Sequence, residues 1–142
     1  MRVAIVDTGP LIAFLNRRDR QHAWAAEQFG SRAPPLLTCE AVLSEAAYLV
    51  RGLAGGPQAV LELVARGVVE PTFRLQDEIS AVKAIVKRYA RDLADACLVR
   101  MSELHSDCVV LTIDSEFRDV YRRHGRQVIP TLLPLDAKRR RR

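Results

Sequence analysis

The segment from residue 2 to residue 16 reads RVAIVDTGPLIAFLN, and it decides the fold. Its first part, RVAIVD, is a short run rich in β-branched residues that ends in Asp7, as is typical of a buried strand. The second part, TGPLIAFLN, predicts a helix with Thr8 at its cap and Pro10 close to its start. The segment therefore predicts a strand, a sharp turn and a helix, with a carboxylate at the tip of the strand.

The same alternation of strand and helix continues along the chain. Five further segments are predicted as helices: RQHAWAAEQF, CEAVLSEAAYLVRG, QAVLELVARG, DEISAVKAIVKRYA and DLADACLVRMSELHS. Short strands are predicted for LLTC, VVEPTF, CVVLTID and QVIPTLL, and a helix or helical turn for SEFRDVYRRHG. This order predicts an α/β fold with a parallel sheet covered on both faces, in which ligands bind beyond the carboxyl ends of the strands.

Length and charge divide the chain into a body and a tail. The 142 residues, 49% of them hydrophobic, fit one compact domain, which we expect to span residues 1–135. Residues 136–142 are predicted to be a disordered basic tail. The net charge is +5, but Lys138–Arg142 carries five positive charges, and without it 17 basic residues balance 17 acidic ones. The body is therefore not basic, although the tail adds salt-sensitive attraction to phosphates.

The cysteines and the apolar segments exclude several classes of protein. Cys39, Cys97 and Cys108 lie far apart without paired spacing, which argues against a disulfide framework and a thiolate zinc site. They are better explained as small buried residues in a reducing cytoplasm. Asp7 interrupts the apolar N-terminal stretch, unlike a signal peptide, and no other stretch approaches membrane-spanning length. We therefore expect a cytoplasmic protein with no membrane partner.

Five carboxylates stand out by their positions. Asp7 and Asp114 each end a predicted strand, so their side chains are expected at the same edge of the sheet. Glu45 lies on the apolar stripe of its helix, where a buried carboxylate needs a cation or hydrogen-bond donors. Asp95 borders the apolar side of its helix, whereas Asp92, three residues earlier, is the better N-cap candidate. Each has an ordinary alternative as a turn or capping residue, or as a carboxylate that reaches water.

The chemistry of this acidic set predicts the kind of metal. Several carboxylates at one sheet edge repel one another and require a cation or retained protons. An all-oxygen set without paired cysteines or spaced histidines suits Mg²⁺ or Mn²⁺ better than zinc. Glu40, in the first turn of the same helix as Glu45, is instead expected to complement the helix dipole.

Four short blocks carry a resemblance to a known family. IVDTGPLIAFLN, TCEAVLSEAAYLV, DLADACLV and VVLTIDSEF resemble, in order and spacing, the motif blocks of PIN domains, and they span residues 5–117. The resemblance implies four catalytic, metal-binding acids: Asp7, Glu45, Asp95 and Asp114. It also implies four supporting residues: Thr8, Asp92, Thr112 and Ser115. For the hydroxyl residues, helix caps and strand-end turns remain an alternative.

The resemblance also implies a fold and an activity. It implies a three-layer α/β/α sandwich with a mostly parallel sheet, and Mg²⁺- or Mn²⁺-dependent endonucleolytic cleavage of RNA. The single-domain size resembles VapC toxins, which a cognate antitoxin holds inactive and which are often homodimers. A solitary PIN-domain RNA-processing nuclease and a non-catalytic PIN-fold binding module remain open alternatives.

Arginines near the acid-bearing segments are candidate contacts for RNA. The predicted set is Arg17, Arg18, Arg20, Arg122 and Arg123. Solvated surface charge is the alternative for each of them. Phe14, Trp24 and Phe117 lie in the same segments and have the rings needed to stack bases, but they are better explained as core residues.

Other enzyme classes that use aspartate or phosphate-binding loops fit less well. A receiver domain would need an acidic pair at the first strand and a lysine after the last, whereas here the first strand has Asp7 alone and QVIPTLL has no lysine. A phosphatase with an aspartyl nucleophile would need Asp-x-Asp, and Asp7 is followed by threonine and glycine. Neither Gly-x-Ser-x-Gly nor a phosphate-binding loop ending in Gly-Lys-Ser/Thr is present.

Overall fold

The computed structural model describes residues 2–89 and 92–138. The strands in these ranges are β1 (Val3–Val6), β2 (Leu36–Thr38), β3 (Val69–Pro71), β4 (Cys108–Leu111), β5 (Arg122–Arg123), β6 (Gln127–Val128) and β7 (Thr131–Leu132). The helices are α1 (Thr8–Leu15), α2 (His22–Gly30), α3 (Glu40–Leu49), α4 (Gly56–Ala65), α5 (Ile79–Tyr89), α6 (Leu93–Leu104) and α7 (Glu116–Asp119), with a 3₁₀ turn at Gln76–Glu78.

A parallel sheet of five strands forms the centre of the described part of the chain. Its order is β3-β2-β1-β4-β7, and every neighbouring pair is parallel. Helices flank the sheet: α1 packs on α2 and α3, α5 packs on α6, and α6 contacts β1 and β4. The predicted α/β sandwich with a mostly parallel sheet is confirmed.

The two central strands are buried because their sequences are apolar without interruption. Ile5 and Val6 in β1, and Val110 and Leu111 in β4, have no solvent exposure. Near-continuous apolar runs are typical of parallel strands that are covered on both faces, and each such side chain contributes about 1.5–3 kcal/mol by burial. This rigid centre holds the residues that follow the carboxyl ends of β1 and β4.

The cap of α1 differs from the sequence prediction. Thr8 was expected at the cap, but Asp7 is the N-cap residue and Thr8 is the first residue of the helix. Asp7 has extended backbone angles of φ −83° and ψ 171°, and its carboxylate accepts a hydrogen bond from the backbone N–H of Thr8. The physical reason is that the strand and helix are directly adjacent, so the last extended residue must also be the cap.

The prediction of one strand over QVIPTLL is wrong. The segment is divided between β6, which forms an antiparallel hairpin with β5, and β7, which pairs in parallel with β4. Pro130 lies between the two strands and has no N–H for a ladder, while its carbonyl accepts from the backbone N–H of Val110. The hairpin turn is made by His124 and Gly125, both with positive φ.

Two expectations about composition can be compared with the structure. Cys39, Cys97 and Cys108 are free and buried, which confirms their interpretation as small buried residues. Within residues 2–89 and 92–138, no helix combines the length and apolar character needed to cross a membrane.

Candidate active site

The register of β1 and β4 brings two polar side chains together at the carboxyl edge of the sheet. Val6 lies opposite Leu111, and the backbone N–H of Asp7 donates to the carbonyl of Leu111 at 3.0 Å. The next residues, Asp7 and Thr112, are therefore level with each other. Thr112 Oγ1 donates to Asp7 Oδ2 at 2.8 Å, while Asp7 Oδ1 accepts from the N–H of Thr8 at 2.7 Å. Both oxygens of this buried carboxylate are thus held by donors.

Asp114 is linked to Asp7 through the same threonine. The backbone N–H of Asp114 donates to Thr112 Oγ1 at 3.0 Å, and Asp114 Oδ1 accepts from the N–H of Glu116 at 3.0 Å. Asp114 is buried, with 6% of its surface exposed. One hydroxyl group therefore fixes the relative positions of the two strand-end acids.

Glu45 reaches the same place from α3. Thr8 Oγ1 donates to Glu45 Oε1 at 2.6 Å, across the contact between α1 and α3. Glu45 is half-buried, as its place on an apolar stripe predicts. Thr8 thus positions a carboxylate although it does not cap its helix.

A cleft of about 560 Å³ opens at this edge of the sheet. Its lining includes three of the four predicted acids and one supporting residue, namely Asp7, Glu45, Asp114 and Thr8. The other lining residues are Gly9, Ile12, Arg20, Gln21, Leu49, Ile113, Asp136, Ala137 and Lys138. The cleft lies at the point where the strand order changes direction, with β2 and β3 on one side of β1 and β4 and β7 on the other. Ligands usually bind at this point in parallel α/β sheets.

Asp95, the fourth predicted acid, has a different environment. It is 1% exposed and does not line the cleft. Its Oδ2 accepts from the hydroxyl of Tyr121 at 2.6 Å, and its backbone N–H donates to Asp92 Oδ1 at 2.9 Å. Asp92 is the N-cap of α6, as the sequence predicted. No sequence signal identified Tyr121 as a partner, because it lies 26 positions from Asp95.

Two buried residues follow Asp114 directly, and the sequence singled out Ser115 but not Glu116. Glu116 is fully buried at the start of α7, and its N–H donates to the Asp114 carboxylate. Ser115, a predicted supporting residue, is the buried N-cap residue of α7, and its N–H donates to the carbonyl of Lys138 at 3.3 Å. The spacing Asp-Ser-Glu was visible in the sequence, but its burial depends on packing.

The beginning of the predicted tail also lies along the cleft. Gln21 Nε2 donates to Asp136 Oδ1 at 2.6 Å, and Arg20 Nε lies 3.4 Å from Asp136 Oδ2. The hydrogen bond from Gln21 lowers the pKa of Asp136 below its ordinary value. Residues 139–142 of the predicted tail lie outside the described residues.

The predicted RNA-binding arginines have unequal positions. Arg17 and Arg18 are exposed outside the cleft, whereas Arg20 lines it. Arg122 donates to the backbone carbonyls of Arg118 and Tyr121, and Arg123 donates to those of Ser102 and Ser106; neither lines the cleft. Of the five predicted arginines, Arg20 therefore lines the cleft, while the guanidinium groups of Arg122 and Arg123 hold backbone carbonyls.

The predicted aromatic residues belong largely to the core. Phe117 has no exposed surface, and Phe14 stacks on Phe29 with ring centroids 4.3 Å apart. Trp24 is partly buried. These positions agree with the core interpretation of the three rings.

The carboxylates that line the cleft are the kind of ligand that binds a hard divalent cation. The carboxylates of Asp7, Glu45 and Asp114 supply only oxygen atoms, the ligands that Mg²⁺ and Mn²⁺ prefer. In the arrangement described for residues 2–89 and 92–138, no group of three or more His, Cys, Asp or Glu side chains is placed to hold a metal ion. Hydroxyl and amide donors hold the carboxylates instead.

Comparison with known proteins identifies the family. Residues 4–123 match the family model of the PIN domain. Ribonuclease VapC26 of Mycobacterium tuberculosis is 30% identical over 115 residues, which cover 78% of this chain and 85% of that relative. The crystal structure of M. tuberculosis VapC20, a Sarcin-Ricin loop cleaving toxin, has the same fold with a TM-score of 0.60 at 23% identity, covering 75% of this chain and 86% of that one. The match extends over most of the chain and includes Asp7 and Asp114, so the protein belongs to the PIN domain family.

Proposed function

We propose that this protein is a metal-dependent endoribonuclease and the toxin component of a VapC-type toxin–antitoxin pair. The observation that carries the proposal is the cleft at the ends of β1 and β4, which Asp7, Glu45 and Asp114 line in a chain of the PIN family. A relative with 30% identity is a ribonuclease of the VapC group, which supports RNA as the substrate.

In this proposal the three cleft acids hold Mg²⁺ or Mn²⁺. The bound cation would supply Lewis-acid polarisation of the scissile phosphate and an activated water nucleophile. Hydrolysis of this kind leaves a 5′-phosphate and a 3′-hydroxyl end. Asp95 stays a predicted fourth ligand, and Asp92 and Ser115 stay predicted supporting residues.

The hydroxyl residues act by positioning these acids. Thr112 holds Asp7 and the backbone of Asp114, and Thr8 holds Glu45, so the carboxylates are oriented before RNA binds. Orientation of the carboxylates before RNA binds lowers the activation barrier of cleavage, because the acids need not be ordered during the reaction. The role of the threonines is therefore to fix geometry, and they need no contact with the RNA.

The proposal also includes partners. A cognate antitoxin would keep the nuclease inactive in the cytoplasm, and the active form would be a homodimer. Light scattering over a range of concentrations tests the dimer. Expression of the chain with and without a neighbouring small antitoxin gene tests the pair, with growth arrest expected only without the antitoxin.

The test of the nuclease activity is cleavage of a labelled RNA panel by the full chain with Mn²⁺ or Mg²⁺. We expect cleavage that EDTA abolishes, and products with 5′-phosphate ends. Asp7→Asn and Asp114→Asn should each lower the rate by at least about a hundredfold with the fold intact, the scale of losing a central electrostatic group. Glu62→Gln, at an exposed carboxylate outside the cleft, is the matched control and should leave the rate unchanged.

Three outcomes would contradict the proposal. Full activity of either aspartate variant would show that the cleft acids are not the catalytic ones. Cleavage that persists after exhaustive EDTA treatment would exclude the metal mechanism. A chain that binds RNA but never cleaves it would instead be a non-catalytic PIN-fold binding module.

A further inference from the structure

One side-chain carboxylate of this protein lies against two donors of its own active-site cleft. Gln21 Nε2 donates to Asp136 Oδ1 at 2.6 Å, and Arg20 Nε lies 3.4 Å from Asp136 Oδ2. All three residues line the cleft that contains the proposed catalytic acids. Each oxygen of the Asp136 carboxylate is thus close to a different donor, and the protein itself places an anion in the cleft.

The two donors belong to a turn that is held in place independently of Asp136. The backbone N–H of Gln21 donates to Asp19 Oδ1 at 2.8 Å, and the N–H of His22 donates to the carbonyl of Asp19 at 3.0 Å. The Nδ1 atom of His22 lies 2.7 Å from the carbonyl of Ala13 in α1. Arg20 and Gln21 therefore keep a fixed backbone whether or not a carboxylate lies beside them.

The segment that carries Asp136 is also held by its backbone. The N–H of Ala137 donates to the carbonyl of Pro134 at 3.1 Å, and Lys138 forms a parallel β-bridge with Asp114. These bonds bring the Asp136 side chain to the cleft, and none of them depends on the charge of that side chain. The side-chain contact can therefore open while the backbone on both sides stays in place.

The contact between Asp136 and Arg20 is weak enough to be replaced. The two side chains are 53% and 66% exposed, and their separation of 3.4 Å is longer than the roughly 2.7–2.9 Å of a charge-assisted hydrogen bond. Ion pairs as exposed as this one contribute little to stability. Another anion can therefore take the place of the carboxylate at small cost.

A phosphate of the RNA substrate has the chemistry to take that place. Phosphate oxygens are anionic acceptors, as carboxylate oxygens are, and arginine binds phosphate with two parallel hydrogen bonds. Among the described residues that line the cleft, the cations are Arg20 and Lys138. Nucleic-acid affinity depends to a large part on contacts between such cations and phosphates. RNA in the cleft therefore needs Arg20, on which Asp136 lies in the free protein.

We propose that Arg20 and Gln21 form a phosphate-binding subsite of the active-site cleft, which Asp136 occupies in the free protein and a phosphate of the RNA substrate occupies in the complex. The inference rests on the proposed function and adds to it a substrate subsite with a competitor built into the same chain. Because RNA must displace Asp136, this carboxylate lowers the affinity of the protein for its own substrate.

The test compares Asp136→Asn with the same substitution at Asp107. Asp136→Asn removes the charge of the side chain and keeps its shape. Asp107 is the matched control, because it is exposed, lies 3.8 Å from Arg2 Nε and precedes β4 at the edge of the sheet opposite the cleft. Binding of a labelled single-stranded RNA is measured by fluorescence anisotropy over a series of salt concentrations. Asp7→Asn is present in every protein, so that the RNA is not cleaved.

The expected result is a gain in affinity that is specific to Asp136. Asp136→Asn should raise RNA affinity about three- to tenfold at low salt, because a larger fraction of molecules has an open subsite, while Asp107→Asn changes it by less than about twofold. Without Asp7→Asn, the Asp136 variant should show a lowered KM for RNA cleavage and a nearly unchanged kcat.

Arg20→Gln should have the opposite effect on RNA binding. It should lower the affinity and reduce the slope of log affinity against log salt by about 0.7, the value of one phosphate contact with a single strand. When Arg20→Gln is present, Asp136→Asn should raise the affinity by less than about twofold, because the guanidinium group for which carboxylate and phosphate compete is gone.

Other results would overturn the inference. Unchanged or weaker RNA binding by Asp136→Asn would show that Asp136 only holds the final segment, and equal gains in both aspartate variants would show a general effect of net charge. An equal gain with and without Arg20→Gln would show simple repulsion of RNA by Asp136. Unchanged binding by Arg20→Gln would reject the subsite by itself, whatever the stability of the Asp136 variant.

These failures can be distinguished from failure of the proposed function. In each of them, cleavage of RNA by the unaltered chain with Mn²⁺ would still support a metal-dependent ribonuclease. Absence of that cleavage would reject the proposed function and, with it, this inference.

Discussion

Thr112 donates a hydrogen bond to the carboxylate of Asp7 at 2.8 Å, although the two residues are 105 positions apart in the chain. The same hydroxyl oxygen accepts from the backbone N–H of Asp114 at 3.0 Å. A single buried side chain therefore joins the acids that follow two neighbouring parallel strands. The geometry of the proposed catalytic centre depends on this residue.

Substitution of Thr112 by valine should lower both stability and activity. The variant keeps the shape of the side chain but removes a donor to a carboxylate and an acceptor for a buried N–H. We expect the free energy of unfolding to fall by about 2 kcal/mol, the typical scale for such a loss. RNA cleavage should fall at least tenfold because Asp7 is no longer oriented. Urea denaturation and initial cleavage rates measure the two effects.

Thr38→Val is the matched control for this variant. Thr38 is also fully buried, and its hydroxyl donates to the backbone carbonyl of Val6 at 2.9 Å. The variant should lose about 1 kcal/mol of stability and keep its cleavage rate within about twofold. Equal loss of cleavage in both threonine variants would reject the positioning role of Thr112.

Removal of the Tyr121 hydroxyl should destabilise the protein through Asp95. The hydroxyl lies 2.6 Å from the Asp95 carboxylate, and a bond to a charged group contributes about 1.5–3 kcal/mol. Tyr121→Phe and Asp95→Asn should therefore be non-additive in urea denaturation, with a coupling of at least about 1 kcal/mol. Tyr89→Phe is the control, because the Tyr89 hydroxyl accepts from the backbone N–H of Arg122. Additive effects of Tyr121→Phe and Asp95→Asn would contradict the contact.

An added methyl group at Gly9 should disturb the cleft. A Cβ atom there would overlap Cγ1 of Ile113 and lie 2.7 Å from its Cδ1, and Ile113 separates Thr112 from Asp114. Gly9→Ala should lower stability by about 1–3 kcal/mol, as overpacking usually does, and should lower the cleavage rate. Gly30→Ala is the control, because a Cβ atom there meets nothing within 4 Å. Thermal melting and cleavage assays compare the two glycine variants. A Gly9→Ala variant as stable and active as Gly30→Ala would show that the Ile113 side chain can move away without cost.

Metal binding should be visible without any catalytic readout. A cation that binds the folded but not the unfolded protein stabilises the folded state by about 2.7 kcal/mol when its free concentration is a hundred times its Kd. Mn²⁺ should therefore raise the Tm of the unaltered chain, and Asp7→Asn or Glu45→Gln should remove most of this shift. Glu62→Gln should keep it. The same metal-induced rise in Tm in the unaltered chain and in all three variants would place the cation outside the cleft.

Part of this architecture was predictable from short stretches of sequence. The apolar runs before Asp7 and Asp114 predicted two buried strands that the carboxylates follow, and the apolar stripe around Glu45 predicted that this side chain is partly buried. These predictions succeeded because hydrophobic periodicity and strand termination are local properties. The same locality explains the error over QVIPTLL, because its last residues pair with β4, a strand from an earlier part of the chain.

The sequence by itself determined the order of most elements, the resemblance to the PIN family and the set of candidate acids. The tertiary structure alone decided which donors hold those acids, that Asp95 lies against Tyr121 outside the cleft, and that Lys138 lies beside Asp114. The physical reason is that such contacts join residues far apart in the chain. Their formation depends on strand register and on the packing of α6, α7 and the final segment, which no local pattern of residues encodes.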